Sequence, residues 1–404
     1  MSKSDSTAPG FTSKPNKPYP EFPLFPHATK RWAKKIRGKM HYFGPWDDPD
    51  GALEKYNQQK DALHAGRKPR EVSTGVTVKE LCNAYLRHKE DKKDASELSP
   101  RTWLTYKETA RILIERFGKA RLVTDLRQDD FAALRNWMVK TKKWGPVRVR
   151  NVIQMVRGIF KYGHDTELLA VPVRFGPGFD RPSNKTLRLE RARKGPRMFE
   201  AEEVRALVNG AAVVGKDGPE VARASPALRA MILLGVNCGF GNADCGTLPL
   251  SALDLAGGWV DYHRPKTGID RRCPLWPETV AALREVLAGR KEPNDPEHAG
   301  LVFITTHGSS WHKEIDDNPI SKQMRKLLTA LGLKGKRNFY ALRHTFETIG
   351  GEAKDQVAVD HIMGHARDDM ASVYRERISD ERLKGVSEFV RKWVFGDSDS
   401  AISH

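Results

Sequence analysis

The chain has 404 residues, more than one ordinary hydrophobic core accommodates, which predicts two or three domains. Its 69 basic and 51 acidic residues leave a net charge of +18. This excess favours a polyanionic partner, above all nucleic acid, over a merely soluble basic protein or one that touches anionic lipid. No apolar run approaches a membrane span and no apolar core follows the N-terminal charges, so we expect a soluble cytoplasmic protein.

The four cysteines are scattered along the chain, and none forms a Cys-x-x-Cys pair. No histidine cluster lies at zinc-finger spacing either, so we expect no metal site. A few separate thiols in a chain of this size are typical of a reducing compartment.

The N-terminal region divides into a tail and a small basic β domain. Residues 1–27 are rich in Ser, Pro and Lys without periodicity, which predicts a disordered tail. In a domain spanning 28–70, two short strands are expected around a turn at Gly38, followed by a short helix over 47–56. The strand region carries four candidate DNA-binding cations: Lys34, Lys35, Arg37 and Lys39. A small sheet bearing these side chains suits a DNA groove, and a hairpin with a solvated basic face is the alternative.

Residues 76–171 predict a domain of four helices. Thr77 and Glu80 form a capping box before the first helix, Ser99-Pro100 begins the second, and Pro146 begins the fourth. Apolar and aromatic residues recur between these signals at three- and four-residue steps, which is typical of core-facing stripes rather than of base-stacking platforms. The junction before the fourth helix carries a cluster of cations that includes Lys140, and its candidate DNA-binding residues are Lys142, Lys143, Arg148 and Arg150.

The segment 172–197 is rich in Pro, Gly, Arg and Lys, which predicts a basic linker before a last domain over 198–395 and a tail over 396–404. In the last domain a β-hairpin is expected over 258–275, with its turn at Lys266-Thr-Gly268. Helical periodicity covers 200–213, 226–238, 277–289, 320–331, 341–350, 355–364 and 368–376. A terminal helix follows with one apolar stripe: Leu383, Val386, Phe389, Val390 and Trp393.

The residues that suggest chemistry also lie in the last domain. Lys266 is in the hairpin turn, Arg343 ends the string Tyr340-Ala-Leu-Arg343, and His365 ends Met363-Gly-His365, with Tyr374 close behind. A guanidinium stays charged and donates two parallel hydrogen bonds, so Arg343 suits the oxygens of a phosphodiester under attack. A phenol, with an ordinary pKa near ~10, needs a proton acceptor such as an imidazole before it acts as a nucleophile. Taken singly, each of these residues more often packs, stays solvated or binds a carboxylate.

In this order the four motifs resemble those of the tyrosine recombinase (phage integrase) family, and the resemblance extends over most of the chain. It implies a mainly α fold with small β-sheets (α+β). In such a fold a small N-terminal sheet of the arm-binding type, a helical core-binding domain and a catalytic domain follow one another.

The resemblance also assigns roles. Tyr374 is the nucleophile that forms a 3′-phosphotyrosine, Arg343 the phosphate clamp, Lys266 the general acid, and His365 with Tyr340 the auxiliary donors. It implies no cofactor, because the phosphotyrosine stores the bond energy, and a nucleoid-associated enzyme that integrates or excises a mobile element. It further implies a tetramer on double-stranded DNA, assembled through the terminal helix, and packing of that helix in cis is the alternative.

Two positions depart from the family pattern. Gly241, in the string Gly239-Phe-Gly241-Asn-Ala-Asp244, stands where the family has its first catalytic arginine, and Tyr340 stands where it has a histidine. Losing one cation on the phosphate should cost on the order of 10²–10³ in rate. The alternative function is therefore a catalytically impaired DNA-binding protein of the same fold. A substitute cation is expected from Arg264, Arg271 or Arg272, which flank the Lys266 turn.

Overall fold

The computed structural model of the chain describes residues 14–66, 75–215, 218–313, 315, 318–366, 370 and 377–397. These residues form two compact units. The first comprises the chain up to Asp91 together with Tyr106–Pro182, and the second comprises Lys92–Thr105 together with the chain from Ser183 onward. The expected fold, mainly α with small antiparallel sheets, is confirmed.

The N-terminal sheet has three antiparallel strands rather than two, in the order β1 (Phe25–His27), β2 (Arg31–Ile36) and β3 (Lys39–Pro45). Arg37 and Gly38 both have positive φ (48° and 78°), the conformation of a tight turn whose twist matches the flanking strands. Helix α1 (Pro49–His64) follows. The helix and the sheet share one buried apolar core, which also includes residues before β1: Phe22, Leu24, Trp32, Ile36, Phe43, Trp46, Ala52, Tyr56 and Leu63.

The predicted disordered tail is therefore wrong for its last residues. Phe22 is 1% exposed and Leu24 is fully buried, and β1 pairs with β2 from Phe25 onward. The apolar contribution of these two side chains outweighs the polar composition that surrounds them in the sequence, because burying each one stabilises the fold by roughly 1.5–3 kcal/mol.

The helical domain contains four helices in the described part of 76–171, as predicted. They are α2 (Val78–Asp94), α3 (Pro100–Phe117), α4 (Gln128–Asn136), which continues as a π-helical turn over Trp137–Thr141, and α5 (Pro146–Asp165). The capping box before α2 is present, since Thr77 N–H donates to Glu80 Oε2 (2.8 Å) and Glu80 N–H donates to Thr77 Oγ1 (3.2 Å). The aromatic stripes pack in the domain core, as the T-shaped contact of Phe131 with Phe160 illustrates.

The segment expected as a linker is partly helical. Ser183 Oγ accepts a hydrogen bond from Thr186 N–H (3.1 Å) and caps α6 (Asn184–Lys194), which ends at Gly195 with φ of 72°. Phe179 is fully buried in the helical-domain core. The prolines and glycines that suggested an irregular linker thus mark the ends of short elements.

The second unit continues with α7 (Ala201–Asn209), α8 (Pro226–Asn237), α9 (Asn242–Gly246), α10 (Pro277–Ala288), α11 (Pro319–Ala330), α12 (Ala341–Glu352), α13 (Gln356–Met363) and α14 (Asp380–Phe395). A three-stranded antiparallel sheet joins β6 (Leu253–Asp254), β7 (Trp259–Asp261) and β8 (Arg272–Pro274). One continuous apolar core connects these elements, and α8 is buried along most of its length.

One expectation for this unit is wrong, and another lies almost entirely outside the described residues. The helix predicted over 200–213 ends at Asn209, because Gly210 has φ of 78°, and a hairpin of β4 (Ala211–Gly215) and β5 (Gly218–Ala222) follows. The helix predicted over 368–376 lies outside the described residues except for position 370.

Helix α14 packs in cis. Leu383, Val386, Val390 and Val394 are buried in the core of their own unit, and Trp276 Nε1 donates to the Ser387 carbonyl (3.0 Å). Phe389, which belongs to the predicted stripe, is 39% exposed. In the described part of the chain no helix combines the length and apolarity that crossing a bilayer requires.

Candidate active site

Arg343 is the buried centre of the candidate site. It lies in the first turn of α12 with 2% of its surface exposed, and its guanidinium bonds two backbone carbonyls. Nη1 donates to Gly239 O (2.6 Å) and Nη2 donates to Met363 O (2.7 Å). Burial, followed by the positive charge of Arg264, lowers the pKa of Arg343 to about 10, so the side chain stays charged at neutral pH. The two carbonyls fix the guanidinium and leave further N–H donors for a phosphate.

The Lys266 turn is docked on the Met363-Gly364-His365 turn. Between β7 and β8 the backbone closes on itself, since Arg264 N–H donates to Ile269 O and Gly268 N–H donates to Arg264 O (both 2.8 Å). Thr267 Oγ1 (3.3 Å) and Arg264 Nη1 (3.2 Å) then donate to Gly364 O. Lys266 lies between these two anchors in the sequence, and its side chain is exposed.

Gly364 makes this docking possible. It ends α13 in the left-handed conformation, with φ of 62° and ψ of 44°. A Cβ at this position would lie 2.7 Å from Arg271 Cδ and 3.0 Å from Arg264 Cβ. Glycine is therefore required both for the backbone conformation and for the close approach of the two arginine stems.

His365 follows Gly364, and its Nδ1 faces two carboxylates. Its Nδ1 lies 3.4 Å from Asp360 Oδ1 and 3.6 Å from Glu347 Oε2. Gln356 Nε2 donates to both carboxylates (3.0 Å to Asp360 and 3.1 Å to Glu347), which holds them together. This arrangement favours a proton on Nδ1 and leaves Nε2 for a substrate.

Gly241 and Tyr340, the two departures from the family pattern, are neighbours. A Cβ at Gly241 would lie 3.5 Å from Cδ2 and Cε2 of the Tyr340 ring. Tyr340 is 42% exposed and meets the His344 ring edge-on, with centroids 5.5 Å apart. Gly241 N–H donates to Asp244 Oδ2 (2.6 Å). The Tyr340 ring thus lies within van der Waals contact of the first side-chain atom that a residue at position 241 would have.

Arg271 and Arg272, two of the three expected substitutes, are engaged within the protein. Arg271 is 3% exposed, and it donates to Asp244 Oδ1 and to Tyr262 O (both 3.0 Å). Arg272 bonds the carboxylates of Asp380 (3.0 Å) and Asp261 (2.6 Å). Neither side chain is free to move to a phosphate without breaking an ion pair.

The structure therefore assembles Lys266, Arg343, His365 and the Tyr340–Gly241 pair in one unit. Tyr374 lies outside the described residues, so its place in the site stays a prediction. Sequence reasoning missed the carboxylates around His365 and the Asp244–Arg271 pair, because nothing in their spacing distinguishes them from ordinary surface charges.

A basic cavity adjoins the site and was also missed. It has a volume of about 320 Å³ and is lined by Lys194, Arg197, Lys336, Tyr340 and His344 among others. Burial and the positive charges of Arg197 and Arg343 lower the pKa of His344. The cations that line the cavity come from the segment predicted as a basic linker and from the string 334–337. Their basic composition is visible in the sequence, but their proximity in space is not.

The predicted DNA-binding cations of the first unit lie on two surfaces. In the N-terminal sheet, Lys35 and Lys39 are exposed, whereas Lys34 is half-buried with its Nζ 4.7 Å from the centre of the Tyr56 ring on α1. Arg37, in the turn between β2 and β3, donates to His64 O (3.3 Å). We call Lys35, Arg37 and Lys39 the sheet cations.

In the helical domain Lys142 and Lys143 are exposed beside the π-helical turn, and Lys142 Nζ lies 5.2 Å from the centre of the Trp137 ring. Arg148 stacks on Trp144 and pairs with Glu108, and Arg150 is half-buried.

Comparison with known proteins identifies a matching family model and structures of similar fold. Residues 197–380 match the model described as the phage integrase family. The fold is similar to a Tn1549 transposon integrase in complex with a circular intermediate DNA, with TM-score 0.54 and 16% identity over 78% of this chain and 99% of that one. It is also similar to a lambda integrase tetramer bound to a Holliday junction, with TM-score 0.54 and 16% identity over 89% and 97% of the two chains. No curated protein sequence matches the chain significantly.

Proposed function

We propose that this chain, whose residues 197–380 form a domain of the phage integrase family of tyrosine recombinases, cuts and rejoins double-stranded DNA at specific sites. The observation that carries the proposal is the docking of the Lys266 turn on the same Met363-Gly364-His365 turn that holds Arg343. A fixed guanidinium, an ammonium and an oriented imidazole in one site are the groups that phosphoryl transfer to a phenol requires.

In the proposed reaction the Tyr374 oxygen attacks the scissile phosphorus, and the bond from phosphorus to the 5′ oxygen breaks. The phenol proton leaves to His365 or to solvent, and Lys266 gives a proton to the departing 5′ oxygen. Arg343 stabilises the charge that grows on the non-bridging oxygens. A 3′-phosphotyrosine and a free 5′ hydroxyl result, and attack by a 5′ hydroxyl of another strand reverses the step. Phosphodiester energy is conserved throughout.

The remaining parts of the chain suit the same function. Two surfaces are candidates for contact with DNA phosphates. One carries the sheet cations and Lys34, and the other carries the helical-domain cations Lys142, Lys143, Arg148 and Arg150. We further propose that the protein acts as a tetramer on two duplexes. The exposed Phe389 of α14 is the candidate contact, because Leu383, Val386 and Val390 of the same apolar stripe are buried in their own unit.

The second candidate function is DNA binding without turnover, which Gly241 favours. Covalent capture separates the two. The protein is incubated with a library of nicked duplexes of random sequence, in which the nick lets the leaving strand diffuse away, and DNA bound to protein after denaturation is recovered. Wild-type protein should yield an adduct that Tyr374→Phe abolishes. DNA binding without any adduct would instead favour the non-catalytic function.

A further inference from the structure

Two guanidinium groups bond consecutive carbonyls in the candidate site. Arg343 Nη2 donates to Met363 O (2.7 Å), and Arg264 Nη1 donates to the next carbonyl, Gly364 O (3.2 Å). The two side chains come from different elements, α12 and the loop between β7 and β8, so only the tertiary fold brings them together. Both guanidinium groups therefore lie at the Met363-Gly364 turn, each within hydrogen-bond distance of one of two consecutive carbonyls.

This arrangement is electrostatically unfavourable in the absence of an anion. Of all neighbouring charges, that of Arg264 contributes most to the lowered pKa of Arg343, after burial itself. Among the described residues, no ion pair joins either guanidinium to a carboxylate, and Asp244, the acid nearby, is paired with Arg271. Two like charges in a partly desolvated site without a counterion favour binding of an anion that bridges them.

Among the described residues, the Arg264 side chain has fewer hydrogen-bond partners than the side chains of Arg271 and Arg272 and pairs with no carboxylate. Arg271 is buried in its ion pair with Asp244, and Arg272 bonds two carboxylates at once. Arg264 is only half-buried, and its side chain makes a single hydrogen bond to a carbonyl within the described residues. Its remaining N–H donors are available to a phosphate oxygen.

We propose that Arg264 is a catalytic residue that supplies the second guanidinium to the scissile phosphate, in place of the arginine that Gly241 lacks. The inference rests on the proposed function and deepens it. Arg343 and Arg264 each donate to a non-bridging oxygen from the two sides of the Met363-Gly364 turn. The second guanidinium thus comes from the loop that also carries Lys266, and not from the loop before α9 that contains Gly241. The Tyr340 ring lies beside Gly241.

The test uses a nicked duplex of the sequence recovered by covalent capture and measures the rate of adduct formation in single-turnover conditions. Arg264→Ala should slow the reaction on the order of 10²–10³-fold, and Arg264→Lys should restore part of the loss. Arg284→Ala is the matched control, since Arg284 is exposed in the same unit and also donates to one carbonyl, Leu255 O. It should react like wild type.

A second substrate distinguishes a phosphate contact from a structural role. Replacing one non-bridging oxygen of the scissile phosphate by methyl removes the negative charge that Arg264 stabilises. On this neutral substrate Arg264→Ala should approach the wild-type rate to within about tenfold, since a residue that acts on the phosphate charge becomes dispensable. An equal defect on both substrates, or a rate equal to that of Arg284→Ala on ordinary DNA, would overturn the proposal.

A third measurement does not require turnover. Inorganic phosphate, compared with chloride at matched ionic strength, should raise the unfolding temperature of wild type and of Arg284→Ala more than that of Arg264→Ala. Absence of any wild-type adduct would overturn the recombinase function and with it the catalytic role of Arg264. An Arg264-dependent phosphate effect would then still identify the guanidinium pair as an anion site, whereas its absence would reject that as well.

Discussion

Substitution of Gly364 by alanine tests whether the turn after α13 is the structural support of the site. Alanine in the left-handed conformation, with φ of 62°, costs about 1–2 kcal/mol. Its Cβ would also lie 2.7 Å from Arg271 Cδ, and such overpacking of a closed site costs roughly 1–3 kcal/mol. We therefore expect the free energy of unfolding to fall by roughly 2–5 kcal/mol, the sum of these two effects.

The loss should appear in urea unfolding and also in adduct formation, because the displaced turn carries the carbonyls that hold Arg264 and Arg343. Gly385→Ala is the control. Gly385 is exposed within α14, and nothing lies within 4 Å of the position that a Cβ would take. There alanine should leave the protein equally stable or stabilise it by about 0.5–1 kcal/mol. If Gly364→Ala unfolds within about 0.5 kcal/mol of wild type, the close-packed turn described here is incorrect.

Three further variants give separate expectations. Gly241→Arg should raise the rate of adduct formation little in the wild-type background but on the order of tenfold or more in the Arg264→Ala background. Equal effects in both backgrounds would contradict the idea that an arginine at position 241 and Arg264 serve the same phosphate. Asp360→Asn removes the nearer of the two carboxylates that face His365 Nδ1. It should slow adduct formation by less than the ~10²-fold expected for loss of the imidazole, without changing DNA affinity, and a change in affinity alone would show that Asp360 acts elsewhere. Replacing the sheet cations by glutamine should reduce the slope of log affinity against log salt by up to about 3, and an unchanged slope would remove that surface from the DNA interface.

The order of motifs along the chain predicted much of the site. The family resemblance of these motifs pointed to Arg343, Lys266 and His365, and the structure places them in one unit, with the Lys266 turn docked on the turn that contains His365. Several helix starts agreed where a proline marked them, as at Pro226 and Pro277. The burial of Phe22 and the helix over Asn184–Lys194 were not predicted. Both segments have the polar, Pro-rich or basic composition of irregular chain, and the apolar periodicity within them is too weak to indicate otherwise.

Residue identity alone determined the charge of the chain, the capping signals and the departure at Gly241, since these depend only on which side chain stands at each position. Only the tertiary structure decided which arginine stands next to Arg343. Arg264, Arg271 and Arg272 are equivalent candidates by sequence, but their side chains point to Gly364, Asp244 and Asp380 respectively. The physical reason is that a guanidinium takes the partner that folding places within hydrogen-bond distance, and that partner comes from an element distant in the sequence.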